Sequence, residues 1–226
     1  MIAKTLRGVG QTLITVGLVI LLFCVYELYF TGLETRAEQK KGREALLEEW
    51  ALPARAPDTT IPSLAPLADV DLGEGLAILR IPRLGRSWAK VVFEGVRVSD
   101  LKKGPGHYPP SAQPGAIGNF VLSGHRTTYG APFNQIDQLD PGDAIVVETR
   151  DTWYTYRLVS EEIVRPTEVD VILAVPRRPG EKPTKAIMTM TTCHPKYSAR
   201  QRFISYADLV ETTKKAPGVL PAALQG

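Results

Sequence analysis

The chain has 226 residues, 44% of them apolar and 23% charged, with a formal net charge of +3. That composition excludes a wholly disordered or fibrous chain, and no basic run is interleaved with aromatics, so nucleic acid is not an expected partner. Two cysteines, Cys24 and Cys193, and three histidines, His107, His125 and His194, exclude a disulfide scaffold and a four-cysteine zinc site. No cofactor and no metal are expected.

The first element in chain order is an apolar run, Val9–Phe30 (VGQTLITVGLVILLFCVYELYF). At about 20 residues it is long enough to cross a hydrocarbon core as a helix. Lys4 and Arg7 precede it and nearly balanced charges follow, so residues 1–8 are expected in the cytoplasm and everything after the span outside. The run is long for a cleaved leader and no small-x-small site follows it, so it reads as an uncleaved single-pass anchor. Residues 31–52 are rich in Glu, Lys, Arg and Leu and predict a helical stalk, with Leu46, Leu47 and Trp50 as its apolar stripe. Residues 53–75 are proline-rich and predict a semi-extended spacer. Both segments are expected to act as a tether.

From 76 to 213 the pattern changes to strands. LAILRIP, KVVFEG, NFVLSGH, AIVVETR, TWYTYRLVSEEIV, AIMTMTTC and RFISYADLV are short and rich in Val, Ile, Thr and Tyr. Turn signals such as RLGR, KKGPGHYPP, LDPGD and RRPGEKP separate them. Helical turns are expected only at Ser99–Lys102 and near Ala131–Ile136. Many short strands with Gly/Pro turns predict an all-β sandwich or closed barrel. Residues 214–226 are expected to form a flexible tail.

Cys193 is a lone cysteine on the outer side, because Cys24 lies in the span. It ends the strand TMTTC and the following His194–Pro195 stops the ladder. A buried inert thiol is the ordinary reading of such a residue; a nucleophile needs a base or a cation beside it. His125 ends another strand in SGHR, and Arg202 opens the strand after Cys193. Arg200 and Arg126 are rivals for the cation, and strand parity does not separate Arg200 from Arg202.

At these residues the sequence resembles the sortases, membrane-anchored cysteine transpeptidases of Gram-positive bacteria. The resemblance covers the chain after the spacer, through LAILRIPRLG, GPGHYP, GNFVLSGHRTTYGAPF and TTCHPKYSARQRFISYADL. GHRTTYGAPF and CHPKYSARQRF are most like the class E housekeeping enzymes of actinobacteria. The resemblance implies a closed β-barrel of about eight strands with short helices. It implies Cys193 as nucleophile, His125 as general acid and base, and Arg202 as the cation beside the oxyanion, with Thr192 lining the substrate groove. It further implies cleavage of a C-terminal sorting signal of Leu-Ala/Pro-x-Thr-Gly type between Thr and Gly, through a thioester. Transfer to an amine of a peptidoglycan precursor, of the lipid II type, would follow. The tail carries no second apolar span and no Asp-Pro-aromatic lid precedes the domain, so the pilin-building class fits less well.

The remaining residues are read more plainly. His194 should point away from Cys193 across its strand. His107 reads as a structural loop residue, with the groove rim as the alternative. Tyr129 and Tyr108 are candidate substrate contacts, each able to accept a hydrogen bond from the N–H that an alanine, but not a proline, presents at the second signal position. Asp137, Asp140 and Asp143 read as loop acids rather than a calcium cage. The rival functions are a membrane-tethered cysteine peptidase, which only the acceptor distinguishes, and a non-catalytic wall-binding β module with a buried Cys193.

Overall fold

The computed structural model describes residues 2–26, 31–52 and 70–225. Most of the spacer, 53–69, lies outside them, as do Glu27–Phe30 of the apolar run. Helix α1 spans Ile2–Val25, and its Ala3–Val25 stretch is long and apolar enough to cross a membrane, with a mean hydropathy of 2.2. Helix α2 spans Thr31–Ala51.

Eight strands follow: β1 Gly75–Arg80, β2 Ala89–Glu94, β3 Gly106–His107, β4 Gly118–Ser123, β5 Ala144–Glu148, β6 Thr152–Val164, β7 Ala186–His194 and β8 Gln201–Lys214, with one short helix, α3 Val98–Leu101, between β2 and β3. They close into a barrel in the order β1-β2-β3-β4-β7-β8-β6-β5. The β2–β3 and β4–β7 pairs are parallel and the others antiparallel. Alternation explains the interior. Phe120 and Leu122 of β4, Met188 and Met190 of β7, and Ile145 and Val147 of β5 all point into one core.

β1 departs from alternation because it is buried on both faces. Its Ala77 and Leu79 face the barrel core, while Ile78 joins Val91 and Phe93 of β2 under Leu46 of α2. The helix expected as a stalk is therefore docked on the barrel. A polar side chain makes the closest seam. The two-residue β3 leaves the edge of β2 open at Val91, and the Gln39 carboxamide fills it. The Val91 N–H donates to Gln39 Oε1 at 2.7 Å, and Gln39 Nε2 donates to the carbonyls of Val91 and Lys103 at 3.0 and 2.9 Å. A free sheet edge of this kind otherwise leaves backbone groups unpaired. At the other end of α2, Lys215 lies 4.4 Å over the Trp50 ring and donates to Glu148. Lys215 belongs to the segment read as a tail, and Pro221 beyond it is buried.

Candidate active site

Three neighbouring strands carry the candidate residues. In the parallel β4–β7 ladder Ser123 pairs with Thr191, and the Gly124 N–H continues it by donating to the Thr191 carbonyl at 3.1 Å. His125 follows Gly124 just past the end of this ladder, next to the end of β7 that carries Cys193. In the antiparallel β7–β8 ladder Cys193 lies directly opposite Arg202, so their side chains leave the same face. Thr192 and Phe203, the adjacent pair, point inward and are buried. Cys193 and Arg202 thus emerge on the outer face at one end of β7 and β8, and His125 lies just past the same end of the neighbouring β4.

Register also separates the arginines that parity left equivalent. Arg200 precedes the ladder, in the β7–β8 connection, and is exposed. Arg126 points inward. Its side chain is 2% exposed, pairs with Asp137 at 2.8 Å and lies 5.3 Å from the centre of the Phe203 ring. Arg202 Nη1 donates to the carbonyls of Ala199 and Gln201 at 2.9 and 3.0 Å, which fastens the guanidinium to the connection that follows Cys193.

Thr192 has a backbone partner that ties the two strands together. Its hydroxyl donates to the Gly124 carbonyl at 2.7 Å, immediately before His125. Gly124 itself has no room for a side chain, since a Cβ there would stand 2.6 Å from the Phe133 ring. His125 is half-buried. Its Nδ1 lies 3.5 Å from the Thr128 hydroxyl, at the outer limit for a hydrogen bond, and Nε2 has no protein partner among the described residues. Burial, which disfavours the charged ring, holds its pKa below the usual 6.5. The Tyr129 ring contributes to that burial, tilted against the imidazole with centroids 4.8 Å apart.

The structure distributes the other residues differently. Tyr108 pairs through its backbone N–H with Val121, and because β3 runs antiparallel to β4 this carries it away from His125, four residues back along β4. His107 is fully buried, with Nδ1 2.8 Å from Glu94 and Nε2 3.0 Å from the Ser111 hydroxyl; it belongs to the barrel, not to a groove rim. His194 stacks on Phe203 at 6.0 Å, on the face opposite Cys193. Asp140 and Asp143 pair with Arg83, as Asp137 does with Arg126. Sequence reasoning missed the partnership of Arg126 and Asp137, eleven positions apart with no local pattern to join them.

The sortase-domain family pattern matches residues 79–210. The chain belongs to the sortase family, a family of cysteine transpeptidases. It is 34% identical to sortase SrtE1 of Streptomyces coelicolor over 94% of its own length, and spans 59% of that relative. Among solved structures it is similar to sortase E of Streptomyces avermitilis (40% identity, TM-score 0.62, covering 69% of this chain and 99% of that one). It is also similar to the SrtF sortase of Corynebacterium diphtheriae (33% identity, TM-score 0.68, covering 74% and 100%). The likeness to E-type sortases agrees with the motifs around His125 and Cys193.

Proposed function

We propose that this protein is a membrane-anchored class E transpeptidase. On this reading it cleaves the sorting signal of secreted proteins between Thr and Gly and transfers them to an amine of a lipid II-type wall precursor. What supports this reading is the pairing of Cys193 with Arg202 across β7 and β8, with His125 just past the end of the adjacent β4. The α1 helix anchors the chain with its N-terminus inside and the barrel outside.

The Cys193 thiolate attacks the threonine carbonyl carbon, and the carbonyl electrons move to oxygen. Arg202 stabilises that oxyanion, and its other guanidinium nitrogens, which have no partner among the described residues, serve the purpose while Nη1 holds the connection. As the C–N bond breaks, imidazolium His125 gives its proton to the departing glycine nitrogen. The acceptor amine then attacks the thioester, neutral His125 takes its proton, and the thiolate leaves. The working form therefore pairs a thiolate with an imidazolium. Burial of His125 favours the neutral ring, so only a fraction of the enzyme is in that form at neutral pH.

Tyr129 is the substrate-contact tyrosine on this reading, because it packs on His125 whereas Tyr108 lies down the strand. A hydroxyl that accepts the N–H of a second-position alanine is left unpaired by proline. Full-length protein in detergent, incubated with Leu-Ala-x-Thr-Gly and Leu-Pro-x-Thr-Gly peptides and candidate amines, should yield transfer products by mass spectrometry, faster from the alanine peptide. Cys193→Ala should yield none. Tyr129→Phe should narrow the ratio roughly tenfold if about 1.4 kcal/mol is lost. Cleavage without transfer to any amine would favour the peptidase, and equal rates on both peptides would remove the class E preference.

A further inference from the structure

Between α2 and the segment after His125 lies a cavity of about 350 Å³, lined by Thr35 and Arg36 of α2, Lys90 of β2, and Thr127, Tyr129 and Gly130. Two cations share it. Arg36 and Lys90 have no ion-pair partner among the described residues, and no carboxylate lines the cavity. A third cation, Lys102, stands 5.4 Å over the Tyr129 ring at its edge. Like charges gathered in one cavity repel. The Lys90 pKa lies below the ordinary lysine range, first through burial and then through the charge of Arg36. An anion between the two would relieve both penalties through charge-assisted hydrogen bonds.

The place of this cavity in the chain narrows the source of the anion. Thr31 follows the last residue of α1, Val25, by six positions, which an extended chain spans in about 20 Å. The α2 end that lines the cavity is therefore held near the surface of any membrane that α1 crosses, where phosphate is the prevalent anion. The far wall is Tyr129, whose ring touches His125. The Cβ of a residue in place of Gly130 would stand 3.0 Å from Thr35 Cγ2, so α2 and this segment already meet with little slack.

We propose that the cavity is an anion site that receives the phosphate or pyrophosphate group of a membrane lipid between Arg36 and Lys90, against the segment that carries His125. The assignment rests on the membrane-anchored reading of α1. It does not depend on the transfer chemistry, and its test is read without turnover.

The test uses full-length protein in phosphatidylcholine nanodiscs, plain or doped with phosphatidylglycerol or with a polyprenyl pyrophosphate. Brief acetylation with an N-hydroxysuccinimide ester is followed by peptide mass spectrometry of Lys90, with the exposed Lys182 as internal reference. The pyrophosphate lipid should slow Lys90 modification fivefold or more relative to Lys182, and Arg36→Gln should remove most of that protection. Equal protection by phosphatidylglycerol would assign the site to anionic lipid in general, and greater protection by the polyprenyl pyrophosphate to a lipid-linked precursor. Inorganic pyrophosphate added to plain discs gives the remaining arm. Protection by it alone, with none from either lipid, would overturn the membrane source, and unchanged Lys90 reactivity in every arm would overturn the site. Thermal melts of Arg36→Gln, which alters an exposed helical residue, report whether the variant keeps its fold.

Discussion

The β7–β8 ladder and the segment from Gly124 to Asn134 meet at one site but hold their residues by different means. Cys193 and Arg202 sit one pair inside an unbroken register that runs from Ile187↔Asp208 to His194↔Gln201, so backbone hydrogen bonds fix both. His125 lies just past the end of β4. The chain after it makes a tight left-handed turn, with positive φ at Tyr129, Gly130 and Ala131 (50, 69 and 42°). Non-glycine residues occupy that region at a cost of about 1 kcal/mol or more each. Contacts within residues 125–137 and one from α2 hold the turn: Phe133 N–H on the His125 carbonyl, Asn134 on the Arg126 carbonyl, Arg126 on Asp137, and Thr35 of α2 against Gly130. One half of the site is positioned by the sheet and the other by a turn that a few hydrogen bonds, an ion pair and α2 hold. Damage to the first should cost chemistry alone, and damage to the second should cost stability as well.

The largest effect is expected on the ladder side. Arg202→Ala should lower kcat/KM for peptide cleavage by about 10²–10³, the usual size for one oxyanion donor, with little change in melting temperature. Arg200→Ala, outside the ladder, should remain within a few-fold of wild type. The reverse order would show that the guanidinium at the oxyanion is reached from the connection and not from the register.

On the other side the expected loss is in the fold. Asp137→Ala removes the ion-pair partner of the Arg126 guanidinium, which is 2% exposed and has no partner for Nε or Nη1 among the described residues. Breaking such a pair costs about 3 kcal/mol or more, and thermal melts should fall by roughly 10 °C. Removal of the exposed pair between Lys185, just before β7, and Asp208 of β8, at 3.4 Å, should cost under about 1 kcal/mol. A small effect from Asp137→Ala would mean that the segment after His125 is held chiefly by its backbone bonds.

The same division governs what the sequence made legible. Alternating strands and the apolar helix are local patterns and were readable as such, and Cys193 and His125 stood out at strand ends, whereas the choice of Arg202 came from the family resemblance alone. What failed to show were partnerships between distant residues. Helix α2 carries few apolar groups, and its seam depends on Gln39, a polar side chain that matters only because β3 is two residues long. His107 sits in a Gly/Pro-rich turn and looks like a loop residue until Glu94 is brought beside it by the β2–β3 pair. Arg200 and Arg202 share parity, and only the pairing of Cys193 with position 202 distinguishes them.

The smallest expected effect probes the turn without breaking it. Tyr129→Ala keeps the Cβ and the backbone conformation but removes the ring that covers one side of His125. Burial is what lowers the imidazole pKa below 6.5, so exposing the ring should raise it. In a coupled thiol–imidazole pair the ordinary order of the two kinds of group gives the acidic limb of the kcat/KM profile to the imidazole. In wild type that limb should lie below pH 6.5, and in Tyr129→Ala it should move up toward 6.5, while the alkaline limb stays in place. The limb is read from the shape of the profile, so loss of a substrate contact, which lowers the whole curve, does not obscure it. An acidic limb that does not move would mean that the strand ends and not Tyr129 keep water from His125, placing the histidine with the ladder half of the site.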